Sequence, residues 1–204
     1  MLSLSLKDIR ISKIYFIISF VFWIFFTPAI TEARKEFQVI FLAGISVIML
    51  IIPFNIEARY KVSMLFKSLP VSADKYVISK YISSIFLSTI TIISCYGFII
   101  LFSNLLERSN SALNVIDLLK ALFLSVVITG LLLPFLFKLD IMISTAISVF
   151  LASLTFASYY YLDVLISVIG INRYILLGLM VLIALGIISL SYLNSLKIYR
   201  KKEL

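Results

Sequence analysis

Histidine is absent from this sequence, and cysteine occurs once, at Cys95 within an apolar run. The first absence removes the commonest ligand for zinc and the commonest general base near neutral pH. The second excludes a disulfide framework within one chain. Glycine is sparse, and Gly44, Gly97, Gly130, Gly170, Gly178 and Gly186 are scattered with none preceding a lysine. No Gly-x-x-x-x-Gly-Lys-Ser/Thr loop can therefore be formed, and the chain carries no phosphate-binding loop for ATP. Charge is scarce too, at 14% of residues, where an ordinary soluble domain carries roughly 25%.

What remains is apolar. Hydrophobic residues make up 62% of the chain and the mean hydropathy is +1.15. A soluble core cannot absorb that excess, because too little polar surface is left to cover it; lipid removes the conflict. A crossing helix needs about 20 mostly apolar residues, and such runs occur at 14–31, 37–54, 82–103, 118–137, 141–161 and 174–193. The runs are continuous rather than alternating, and backbone groups in lipid must be paired internally, so helices are expected and a β-barrel is excluded. The expected fold is an all-α membrane protein, a bundle of six transmembrane helices in a single domain, 1–204. Lys7, Arg10 and Lys13 precede the first run as in a signal peptide, but the run exceeds the usual h-region, so a retained helix is expected.

Lysine and arginine set the orientation. Lys7, Arg10, Lys13, Arg59, Lys61, Lys67, Lys75, Lys80, Lys138, Lys197, Arg200, Lys201 and Lys202 fall on the side of the termini, against Arg34, Lys35, Arg108, Lys120 and Arg173 on the other. The acids divide evenly, so the net charge of +8 lies on one face. That places both termini in the cytoplasm. A topogenic signal with attraction to anionic lipid accounts for the charge without nucleic acid. Tyr159, Tyr160, Tyr161 and Tyr174 suit an outer aromatic belt, with 163–171 as an interfacial or re-entrant segment between them. In the third run Ser84, Ser88, Thr91 and Cys95 share one stripe, as Ser144, Ser148 and Ala152 do in the fifth, spacings that let helices approach closely. Ionisable residues are nearly absent from the runs, which argues against a proton- or sodium-driven transporter.

The long internal hydrophilic stretch is 55–80. Within it, 58–69 suits a short amphipathic helix: Val62, Leu65, Phe66 and Leu69 recur at helical spacing, while Arg59, Lys61 and Lys67 lie off that stripe. Pro70 stops it, and Ser72 with Asp74 reads as a cap and acidic first turn of the next helix. The pattern alone fits either a helix floating among head groups or a lever docked on a partner protein.

The string Glu57…Ser68-Leu69-Pro70-Val71-Ser72…Lys75…Ser79-Lys80-Tyr81 resembles the loop between the second and third spans of small permease subunits of ATP-binding-cassette exporters of the second type. The opening Leu4-Ser5-Leu6-Lys7-Asp8-Ile9-Arg10…Lys13 is similar to their short N-terminal helix, expected over 2–12. Those permeases often have arginine where this chain has Ala73. In size and pattern the chain is similar to subunits that export phenol-soluble modulins and bacteriocins. The resemblance implies a coupling helix at 58–69 seated in a separate ATPase, with Glu57, Arg59, Lys61, Leu65, Phe66, Leu69 and Pro70 as the coupling residues. Glu57 is expected at an exposed hinge, pairing with Arg59, Lys61 or a partner residue. The resemblance further implies no catalytic or metal site and no cofactor in this chain, with ATP and Mg on the partner. Also implied are a second six-span permease, identical or homologous, a bacterial cell membrane and an amphipathic cargo. The competing readings are a substrate-binding subunit of an energy-coupled uptake system and a non-transporting scaffold or immunity protein.

Overall fold

The computed structural model describes residues 7–10, 12, 13, 17, 27, 30, 35–59, 72–105, 113–139, 143, 146, 147, 150, 153 and 173–203. Among them four long helices stand out: α1 (Lys35–Arg59), α2 (Ala73–Leu105), α3 (Val115–Lys138) and α4 (Arg173–Glu203). No strand occurs among the described residues. Each helix contains a stretch long and apolar enough to cross a membrane: Phe37–Glu57, Ala73–Leu105, Val115–Lys138 and Gly178–Lys201. The expected first and fifth spans lie mostly outside the described residues, although 17, 27, 30, 143, 146, 147, 150 and 153 are helical. Residues 60–71 and the interfacial segment 163–171 also lie outside them.

The helices outrun the apolar stretches that announce them. α1 continues past residue 54 to Arg59, so Ala58 and Arg59, the first two residues of the expected 58–69 segment, are helical and continuous with that span, and the remainder of the segment lies outside the described residues. Continuation is possible because the polar residue that would otherwise end the span, Glu57, is neutralised inside the bundle. α2 begins at Ala73, where Ser72 and Asp74 predict its start, with the Tyr76 N–H on the Ser72 carbonyl; it thus runs nine residues ahead of the apolar stretch at 82, and Tyr76, Val77, Ser79, Lys80 and Tyr81 are buried along that extension. α3 starts where the Asp117 carboxylate accepts the Asn114 N–H at 2.9 Å, part of a capping box, and closes with the Leu139 N–H on the Phe135 carbonyl. Pro134 sits inside its last turns.

α1 packs against α2 and α3, α4 packs against α3 and α2, and α2 also touches α3. The shared core includes Val39, Leu42 and Leu50 of α1, Val77, Ile92 and Ile99 of α2, and Ile128, Leu132 and Leu133 of α3. Ser84, Ser88, Thr91 and Cys95 are all buried on α2. Thr91 donates to the Leu87 carbonyl, Ser88 to Ile85 and Thr129 to Ser125, so these hydroxyls need no partner from another helix. Large apolar side chains such as Ile48, Phe86, Ile93, Leu101, Leu182 and Leu190 face outward, as they would toward acyl chains.

α3 and α4 meet closely at Gly130. A Cβ there would lie 2.8 Å from Cγ2 of Ile187, while Gly186 has nothing within 4 Å of its own. Ser191 of α4 donates to the Gly130 carbonyl, and its oxygen stands 2.5 Å from Tyr81 of α2, which also meets Ser195 at 2.8 Å. One polar chain thus ties α2, α3 and α4 beside the close contact at Gly130. Gly130→Val should destabilise the purified protein by about 1–3 kcal/mol through overpacking, read as a lower thermal midpoint in detergent. Gly186→Ala should leave the midpoint unchanged or raise it; equal effects from the two would mean that α3 and α4 have room to part.

Candidate functional site

The C-terminal ends of α1, α3 and α4 and the N-terminal end of α2 converge at one end of the bundle. They are tied there by rings. Phe137 of α3 packs edge-on to Phe54 of α1, with centroids 5.5 Å apart, to Tyr76 of α2 at 6.3 Å and to Tyr199 of α4 at 6.1 Å. Tyr76 and Tyr199 stack at 4.9 Å. Each of the four helices contributes a ring.

Beside this aromatic layer lies a buried charge network. On α2, Tyr76, Lys80 and Ser83 recur at helical spacing and share a face; on α1, Phe54 and Glu57 do the same. Lys80 Nζ is 2.9 Å from Oδ2 of Asp8 and 2.8 Å from Oε1 of Glu57. Lys7 reaches the same Glu57 oxygen at 2.5 Å and stands 3.6 Å from Asp8. Tyr76 donates to Oε2 of Glu57 at 2.8 Å, and Ser83 donates to Oδ2 of Asp8 at 3.1 Å. The ammonium of Lys80 also sits 5.1 Å from the Phe54 ring centre and 5.7 Å from that of Tyr76.

The side chains of Lys80 and Asp8 are each 1% exposed, and that of Glu57 is 7% exposed. Burying such groups is tolerable only when every charge is matched and hydrogen-bonded. Two ammoniums against two carboxylates, with a phenol and a hydroxyl filling the remaining acceptor sites, meet that condition. The network joins the helical turn 7–10, the end of α1 and the start of α2. It thereby clamps both flanks of the 60–71 segment to each other and to the N-terminal turn. The arrangement offers no nucleophile with an adjacent base, and no group of acids or cysteine among the described residues could hold a metal ion.

Glu57 is therefore not at an exposed hinge. Among the described residues its charged partners are Lys7, fifty residues earlier, and Lys80 on α2. Arg59 closes α1; Lys61, Leu65, Phe66, Leu69 and Pro70 lie outside the described residues. Lys7, Asp8, Tyr76, Lys80 and Ser83 were not expected as site residues. A signal for Lys80 existed: the α2 stripe Cys95, Thr91, Ser88, Ser84, carried back one more turn, lands on it. At the edge of the cluster Arg200 of α4 meets Asp74 at 2.9 Å, but both side chains are about half exposed, and such a pair contributes about 0–1 kcal/mol.

Residues 3–200 match the family described as ABC-2 family transporter protein. No curated protein and no solved structure matches the chain. Members of that family are membrane permeases that work with an ATP-binding subunit and are typically non-catalytic themselves. The match runs through the terminal turn, all four described helices and the charge network between them. The chain therefore belongs to the ABC-2 family, as a multi-pass membrane permease of an ATP-binding-cassette transporter.

Proposed function

We propose that this permease is one six-span half of an ATP-driven exporter of amphipathic or apolar cargo, working with a second six-span subunit and an ATPase that binds ATP and Mg. The converging end of the bundle, rich in Lys7, Arg10, Lys13, Lys75, Lys80, Lys138, Lys197, Arg200 and Lys201, is the cytoplasmic end by the positive-inside rule. Residues 60–69 form the part of the coupling helix that the ATPase grips, with Lys61, Leu65, Phe66 and Leu69 as its docking face and Pro70 as its stop.

The observation that carries this reading is the buried network around Lys80. A push on 60–69 is delivered to the flanks of that segment, and those flanks are locked to each other and to the N-terminal turn. Force then moves α1 and α2 together instead of bending one loop, which is what a switch between discrete packings requires. The cargo assignment is supported by the interior of the described spans, where 82–105, 121–137 and 178–196 contain no Asp, Glu, Lys or Arg; a path for ions or protons would need such groups. Export as the direction rests on the resemblance of the 68–81 string.

The test is affinity purification of the tagged permease from its native membrane. The expected result is a stoichiometric ATP-binding subunit, lost from the preparation in Phe66→Asp, with export of an amphipathic peptide lost in parallel while the permease still accumulates. Export that continues in Phe66→Asp would remove the coupling role of the segment.

A further inference from the structure

The ends of α3 and α4 leave a groove of about 500 Å³ lined by Pro134, Phe135, Lys138, Asn194, Lys197, Ile198 and Lys201. Its volume falls within the range of about 300–1,000 Å³ found for ligand clefts. Helical spacing explains the lining. Asn194, Lys197, Ile198 and Lys201 fall on one face of α4, and Pro134, Phe135 and Lys138 span the last turn of α3. Lys138, Lys197 and Lys201 are exposed, and none of them has a hydrogen bond or ion pair among the described residues. Arg200, next to Lys201 on α4, is already taken by Asp74. Three like charges therefore converge on one groove without a counter-charge from the described protein.

The groove is also graded along the bundle axis. Phe135 and Pro134 lie about 4.5–6 Å deeper along α3 than Lys138, so an apolar floor lies inward of a cationic rim. That is the profile of a phospholipid, with an anionic phosphate at the rim and the first methylenes against Phe135, Pro134 and Ile198. A soluble anion would use only the rim. We infer that the α3–α4 groove is a binding site for an anionic phospholipid, whose phosphate is held by Lys138, Lys197 and Lys201. Basic pockets between the ends of spans are a recurring form of such recognition. The assignment rests on the proposed orientation only in naming the cytoplasmic leaflet as the source of the lipid.

The experiment uses the full chain, purified without the ATP-binding subunit in neutral detergent and titrated with phosphatidylglycerol in mixed micelles. Lipid retention and the thermal midpoint are read. Phosphatidylglycerol should bind and raise the midpoint where phosphatidylcholine does not. Each single change, Lys138→Gln, Lys197→Gln or Lys201→Gln, should weaken binding about fivefold, and the triple variant on the order of a hundredfold. Lys75→Gln, at an exposed lysine of α2 away from the groove, should change little. Because the three lysines are exposed, the lipid-free midpoint of the triple variant should equal that of the unaltered chain. Phe135→Ser should weaken retention of the lipid as well. Equal binding of the two lipids, undiminished binding in the triple variant, or an equal midpoint rise with inorganic phosphate alone would each overturn the assignment. So would a triple variant that keeps the lipid but loses the ATP-binding subunit in a separate pull-down, since the lysines would then serve a protein surface. Failure of the Phe66→Asp test leaves this measurement untouched, so the two proposals fail separately.

Discussion

Replacing Lys80 with methionine should lower the thermal midpoint of the purified permease by on the order of 10 °C. Methionine matches the volume of the stem but brings no charge, so Asp8 and Glu57, both buried, are left to share Lys7 alone. Lys7 is 30% exposed and stands 3.6 Å from Asp8, too far and too wet to replace an ammonium at 2.9 Å. Breaking a buried pair on one side costs about 3–5 kcal/mol, because the orphaned charge stays behind. The double variant Lys80→Met with Glu57→Gln isolates this cause. It leaves Lys7 facing Asp8 with the charges balanced, and the midpoint should recover by a substantial part of the loss. A double variant as unstable as the sum of its singles would show that Lys80 acts through packing against Phe54 and Tyr76, not through charge. The functional readout follows the same logic: the single variant, even below its melting range, should show ATP-binding-subunit activity that no longer responds to cargo.

The helical character and the apolar stretches of this chain were legible because lipid imposes them directly. A long apolar run in lipid must pair its backbone internally, and 37–54, 82–103, 118–137 and 174–193 each lie within a described helix. The ends were less legible. α1, α2 and α4 all extend beyond their apolar runs into polar residues; only the start of α2 was announced, by Ser72 and Asp74, because hydropathy cannot distinguish a polar residue facing water from one neutralised inside a bundle. Glu57 shows the difficulty. By local pattern it borders a basic amphipathic segment, so pairing with Arg59 or Lys61 looked natural; its partners, Lys7 and Lys80, arrive from elements distant in sequence. Such pairs are set by how helices dock, which no local window contains. Tyr81 repeats the lesson at smaller scale, since its hydroxyl finds Ser191 and Ser195 more than a hundred residues away. The small-residue stripe on α2 was readable, and its continuation to Lys80 was the one local clue that a charge would be buried.

Phe137→Ala should cost about 3–5 kcal/mol, as for other aromatic truncations at buried sites, and it tests whether the two flanks of 60–71 are mechanically joined. Phe137 is 7% exposed and meets rings from the other three helices. Lipid tails are as apolar as leucine, so transfer out of water contributes little to holding these helices together, and the packed contacts themselves carry the stability. A void where Phe137 stood forfeits edge-on contacts worth about 0.5–1.5 kcal/mol each and frees Phe54, whose ring lies 5.1 Å from the Lys80 ammonium. Phe137→Leu refills most of the space without the ring and should cost much less. The distinguishing measurement is limited trypsin digestion in detergent below the melting range. Phe137 lies on α3, remote in sequence from the cleavable Lys61 and Lys67. If the aromatic layer and the charge network form one brace, Phe137→Ala should speed cleavage at those lysines together with the fall in midpoint, and Lys80→Met should do the same. A lower midpoint with unchanged cleavage would separate the two features, leaving the ring cluster as ordinary packing and the charge network as the part that braces the flanks of 60–71.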